Sequence, residues 1–220
     1  MEHLTFTVTD RQFHLEGFPD AVKIVRLTGP KAQRLADLML HQEDLDATLY
    51  YLDAINHVPD QDHRLREILW ESAIVHLIKC FSDSESRFSL NTAQAYKRDA
   101  GALQAFKYFE SLRNKHIVHD DNSYTQCLVG TILNKREVSP KIAKVIASPI
   151  VASVLGQENY QNLHLLATQA RTWVVAQFDA LADVITRELE TKSYEELLAM
   201  DNIVYTTPGV SDVHTTRLRL

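Results

Sequence analysis

The feature that most constrains this chain is a run of about thirty residues, late in the sequence, that keeps one apolar face at helical spacing. Leu163, Leu166, Ala170, Trp173, Val174, Phe178, Leu181, Val184, Ile185 and Leu189 recur mostly at steps of three and four. A helix of that length spans roughly 45 Å. It cannot bury its apolar face alone, so it demands other long helices beside it.

Three further stretches answer that demand. One helix is predicted to start after Thr28-Gly29-Pro30, because a proline loses nothing in a first helical turn. Leu35, Leu38, Leu45, Leu49, Leu52 and Ile55 form its apolar face, interrupted at Gln42, and Val58-Pro59 ends it. A second helix is expected over residues 62–81, carrying Leu65, Ile68, Leu69, Val75, Ile78 and Phe81, with Asp60 or Asp62 as its cap; Trp70, like Trp173 in the last long helix, reads as core. After a polar loop at 82–90, a third is expected over 92–116, with Ala102, Phe106, Phe109 and Leu112 on one face and Gly101 weakening its first half.

The remaining segments are smaller. Leu4, Phe6 and Val8 alternate with Thr5, Thr7 and Thr9, which reads as a strand, and residues 21–27 are its expected partner across a turn at Gly17–Pro19. Residues 120–135 admit either a short strand or a buried helical turn. Ser139-Pro140 and Ser148-Pro149 each fit a cap followed by a first-turn proline, predicting two short helices, a reading that the β-branched residues between them weaken. A short helix is expected at 194–200, followed by a tail with a turn at Pro208-Gly209. The expected fold is therefore mostly α: an antiparallel helical bundle with minor peripheral β-strands. It would form a single domain over 1–220, with a β-rich edge at 1–28 and a C-terminal tail at 202–220.

Composition excludes several classes. Of 220 residues, 45% are hydrophobic and 24% charged, too apolar for a disordered chain. No apolar run approaches the eighteen or so residues of a membrane helix. The first residues, MEHLTFTVTD, lack the basic and apolar regions of a secretory signal, so a cytoplasmic location away from membranes is expected. Cys80 and Cys127 are far apart, without disulfide or zinc spacing. The net charge of −6 argues against general polyanion binding, so any nucleic-acid chemistry must occupy a local basic site.

One such site stands near the middle of the chain. The segment Arg113-Asn114-Lys115-His116-Ile117-Val118-His119-Asp120-Asp121 crowds guanidinium, amide, imidazole and carboxylate groups at the end of the third helix. An Arg offers a fixed fork of donors suited to phosphate, and a His exchanges protons near neutral pH. Together they suffice for cutting RNA without a metal. The His takes the proton of a ribose 2′-hydroxyl or protonates the leaving oxygen, and the Arg stabilises charge on the phosphate.

This string resembles the HEPN superfamily (higher eukaryotes and prokaryotes nucleotide-binding). These small helical domains carry Arg, four to six residues, then His near a helix end, usually with a polar residue after the Arg. Arg113, Asn114 and His119 fill those places, with five residues between Arg and His. The resemblance implies a homodimer that brings two motifs into one cleft. It also implies metal-independent RNase activity or RNA or nucleotide binding, often within toxin–antitoxin or phage-defence systems, with an antitoxin or a nucleotidyltransferase-like protein as partner. Catalytic roles would then fall to Arg113 and His119, with Asn114 orienting one of them. Lys115, His116 and Asp120 are candidate substrate contacts. A second Arg–His pair, Arg34 and His41, lies mid-helix and is followed by apolar Leu35 rather than a polar residue, so it is set aside.

Other readings of the same residues remain open. Basic side chains in a last helical turn complement the helix dipole, and Asp120 could pair with Arg113 or His116. The chain would then be a non-catalytic helical interaction module. His116, His119 and Asp120 also form an H-x-x-H-D cluster, compatible with a metal-dependent hydrolase but lacking an evident further ligand. No dinucleotide, P-loop or nucleophile-elbow motif occurs, so no cofactor is expected. Tyr50, Tyr51, Tyr96, Tyr108 and Tyr124 could stack bases, but near helix faces such residues are more often ordinary core-rim aromatics. In an unbroken α-helix, Arg113 and His119 would stand about 120° apart. Sharing one face therefore requires the helix to end or distort after His116, or a dimer partner to supply the missing group.

Overall fold

The computed structural model describes residues 6–9, 12–15, 17–18, 20–119 and 121–217. Four long helices form the frame: α1 (Pro30–His57), α2 (His63–Lys79), α4 (Ala100–Leu112) and α5 (Gln157–Leu189), with the single turn α3 (Thr92–Ala95) before α4 and α6 (Tyr194–Ala199) after α5. The fold is mostly helical with minor strands, as the sequence predicts.

α1 is the spine. Pro30 occupies its first turn, preceded by Gly29 at a φ of 89°, a conformation that glycine reaches without strain. The pairs Arg66–Ile55, Thr48–Ala73 and Asp44–His76 step along α1 and α2 in opposite directions, so the two helices run antiparallel. Tyr160–Leu52, Arg171–Asp46 and Lys31–Glu188 establish the same relation between α1 and α5. Leu38, Leu45, Leu52 and Ile55 meet Trp70, Ile74, Leu77 and Ile78 of α2, together with Leu163, Leu166, Ala170 and Val174 of α5, in one core. Beyond Val174 no residue of α5 is fully buried. In its second half, Phe178 lines a groove together with Leu27, Met39 and Ile203.

Several local expectations are corrected. Asp62, not Asp60, caps α2, accepting from the Leu65 N–H at 3.2 Å, and α2 ends at Lys79 rather than Phe81. The helix expected over 92–116 is interrupted at Lys97 and Arg98, both in the left-handed region, and restarts with Asp99 capping Ala102. Gly101 thus sits in a first turn, where a cap compensates its poor propensity. Phe6–Thr9 (β1) pairs with the nearer Gln12–Leu15 (β2), not with 21–27, because a short loop costs less entropy to close. Val25 keeps a single bridge, to Asn202 of the tail. Leu4, Thr5 and Pro19 lie outside the described residues.

The largest correction concerns the two Ser-Pro pairs. They begin no helices. Thr125–Leu133 (β3) and Ile142–Val151 (β4) form a long antiparallel hairpin, with Ser139-Pro140 in its tip and Pro149 inside β4. β-branched residues and the alternative of local strand pairing outweighed the capping signal. No helix among the described residues is long and apolar enough to cross a membrane.

Polar groups also enter the core. Asp44 is buried and takes His76 at 2.9 Å, Lys79 at 2.9 Å and Arg87 at 2.7 Å, tying α1 to α2 and to the loop before α3. Burial alone would raise its carboxyl pKa. The hydrogen bonds and charges of Lys79 and Arg87 outweigh this and hold it below the usual range. One helical turn earlier, His41 is fully buried, and its Nε2 lies 2.8 Å from the Phe88 carbonyl, as a donor in the neutral ring. Burial, and then the Arg87 charge, lower its pKa to about 4.

These shifts give a signed prediction. Below an unfolded pKa of about 6.5 the unfolded chain takes up a proton that buried His41 refuses, so stability falls as pH drops from about 6.5 to about 4. Asp44 acts in the same direction as its carboxylate is protonated. Urea denaturation across that range should show falling midpoints, with a shallower slope in His41→Gln; equal slopes would contradict the assignment.

Candidate functional site

Phe106, Phe109 and Leu112 hold α4 to the core, with the Phe109 ring edge-on to Trp70 at 5.9 Å. Continuing the same face places Arg113, His116 and Ile117 next. The helix responds by widening: Arg113–Val118 forms a π-helical turn, with His119 as its C-terminal cap. The distortion therefore begins at Arg113 itself, three residues earlier than the spacing argument required. Single π turns are frequent at functional positions because they redirect side chains that a regular helix would stack.

Within the turn, Arg113 and Asn114 come together. The guanidinium donates from Nη1 to Asn114 Oδ1 at 2.8 Å. Its Nε is buried without a hydrogen-bond partner, as is Nδ1 of His116. The His116 ring meets Tyr124 edge-on at 5.5 Å. Lys115 and His119 are exposed, and the Arg113 guanidinium bonds to Asn114 rather than to His119. The Lys115 carbonyl accepts from the Asp121 N–H at 2.6 Å, folding the chain back after the turn. Asp120, the third proposed contact, lies outside the described residues.

α2 supplies neighbours that the linear motif does not contain. Glu71 faces His116. Burial and the Glu67 charge raise its carboxyl pKa, partly offset by His116. Glu67 in turn accepts from Ser153, just beyond β4. Tyr108 of α4 accepts from Asn159 of α5 at 3.2 Å, and Asn159 also donates to the Val154 carbonyl. The base of the hairpin is thus fastened beside the motif. Glu71 escaped the sequence reading because it stands more than forty positions away; its only signal was its place on a helix packed against the motif.

Among the described residues no group of three His, Cys, Asp or Glu side chains is placed to hold a metal ion. The set-aside pair Arg34 and His41 is not a catalytic couple either. Both flank Phe88, Arg34 over its ring face at 3.3 Å and His41 edge-on at 5.0 Å. Cys80 is an inert core thiol, pushed up to about 12 chiefly by burial. Trp70 is core and Trp173 only partly buried. No family model, curated protein or solved structure matches this chain.

The arrangement separates structural from chemical effects. Arg113→Ala and Asn114→Ala each remove one partly buried hydrogen bond and should cost about 1 kcal/mol. His119→Ala removes an exposed ring and should stay within about 0.5 kcal/mol of the parent. Thermal unfolding of the three variants checks this; a large loss for His119→Ala would mean it is packed rather than presented.

Proposed function

We propose that this chain is a HEPN-like, metal-independent endoribonuclease or RNA-binding protein, working as a cytoplasmic homodimer. The observation that carries the reading is the pair of buried, unpartnered nitrogens in one π turn, Arg113 Nε and His116 Nδ1, next to an exposed His119. A buried polar nitrogen without a partner costs about 1–3 kcal/mol. A turn that keeps two of them, and bends a helix to do so, is explained by a ligand that satisfies them. An RNA phosphate has the acceptors that a guanidinium requires.

In this reading Arg113, aimed by Asn114, holds the scissile phosphate and stabilises its developing charge. His119 transfers the proton, being free to approach the ribose. Lys115 and His116 contribute to substrate binding, with Glu71 countering the charge of His116. Activity of this kind suits a toxin of a toxin–antitoxin or phage-defence system, restrained by an antitoxin or a nucleotidyltransferase-like partner. A non-catalytic interaction module is the second reading, favoured by the exposed apolar hairpin that follows the motif.

Cleavage of labelled single-stranded RNA in the presence of EDTA tests the proposal. The parent should cut, and Arg113→Ala and His119→Ala should each lose about 100-fold or more, within the range expected for general acid–base and electrostatic groups. Equal rates in parent and variants, or activity abolished by the chelator, would overturn the assignment.

A further inference from the structure

The β3–β4 hairpin is at odds with ordinary folding rules. Its strands have nine and ten residues, and none of these is buried. Leu128, Val129, Leu133, Val145, Ile146 and Val151 point into solvent from both faces, Val129 at 74% exposure and Val145 at 68%. A lone two-stranded sheet is marginal in water, and apolar surface of this extent marks a contact. One edge is open to pairing and the other is hindered. The Ala152 N–H donates to the Tyr124 carbonyl, which puts the bonded pairs at Tyr124/Ala152, Gln126/Ile150 and Leu128/Ser148. Cys127 and Pro149 fall between them, so the N–H that Pro149 lacks is one that would face outward. The outer edge of β4 is interrupted there. The outer edge of β3 keeps every N–H from Thr125 to Leu133.

We propose that the hairpin is an arm that clasps a second copy of this chain, through antiparallel pairing of β3 with β3 of that copy about a two-fold axis at Val129. Charge selects this occupant. β3 carries no charged residue and β4 only Lys144, in a chain of net charge −6, so the arm is where two copies meet without like-charge repulsion. Pairing over the full length sets Thr125 against Leu133 of the second copy. It carries the tip of one arm, with Lys135, Arg136 and Lys141 against the single Glu137, to the base of the other arm. There it meets the exposed Asp121 of the second copy, beside that copy's π turn. The four-stranded sheet that results has the strand number that stands alone, and its contact is isologous, as closed dimers require. It also delivers basic groups from each copy to the Arg113–His119 turn of the other. The clasp is independent of whether that turn is catalytic.

Sedimentation velocity on the full chain at micromolar concentration tests the arm. The parent should sediment with the mass of two chains. Val129→Lys sets two ammonium groups opposite each other on the axis and should weaken the dimer about tenfold or more, with the helical circular-dichroism signal unchanged. Lys135→Glu with Arg136→Glu alters only the exposed tip and should also weaken the dimer, with recovery when Asp121→Lys is added. A monomeric parent, which would leave the arm to an unrelated protein, or a folded Val129→Lys variant that remains fully dimeric, would overturn the proposal. RNA cleavage measured on the same samples separates failure of the clasp from failure of the nuclease reading.

Discussion

The fold depends on one buried carboxylate. Asp44 sits mid-way along α1, where a bundle helix would ordinarily place leucine, and collects His76 and Lys79 from α2 and Arg87 from the following loop. Removing Lys79 or Arg87 would leave the buried carboxylate short of counter-charge, whereas removing the carboxylate would strand the buried Arg87 guanidinium. Such clusters add little net stability beyond an apolar core of the same volume, but they reject alternative registers of the helices that contribute to them. The specificity matters here because α1, α2 and α5 are joined largely by leucine and isoleucine, which slide past one another at small cost. Asp37 extends the same device, binding Gln33, the Phe88 N–H and Arg217 of the tail.

That frame determines where strain can go. Trp70 against Phe109, with Leu112 below, fixes the last core turn of α4. The next residues of that face are polar, so the helix can neither continue into the core nor leave it abruptly. A π turn resolves the conflict by half-burying Arg113 and His116 and releasing Lys115 and His119 to solvent. Its geometry follows from this packing, and the two nitrogens it leaves without a partner in the chain are those that the proposed ligand would satisfy.

Much of the frame was legible because period and punctuation agree: Pro30 and Pro59 bracket α1, Asp62 caps α2, and the long apolar stripe announces α5. Failures share a physical origin. Whether 142–151 becomes helix or strand depends on pairing with 125–133, which no single window contains, and the Ser-Pro signal is common to caps and turns. The break at Lys97 and Arg98 follows from backbone conformations that neither residue type advertises. Of the candidate site, the linear motif supplied Arg113, Asn114 and His119. Glu71, the Tyr124 contact and the exact start of the distortion were invisible, because each arises where α2 or the hairpin base approaches α4.

The position of the hairpin is more informative than its existence. It leaves the bundle immediately after His119 and returns to it at Ser153 and Val154, where Glu67 and Asn159 hold it. A chain that only needed to connect α4 to α5 could do so with a short loop, since their facing ends are tied by Tyr108 and Asn159. The nineteen strand residues therefore serve nothing inside the bundle. The arm is anchored at one end by Tyr124, edge-on to His116, and at the other by Ser153 and Val154, bonded to Glu67 and Asn159. Its strands, charged only at Lys144, and its basic tip are the parts of this acidic chain suited to reach another molecule there.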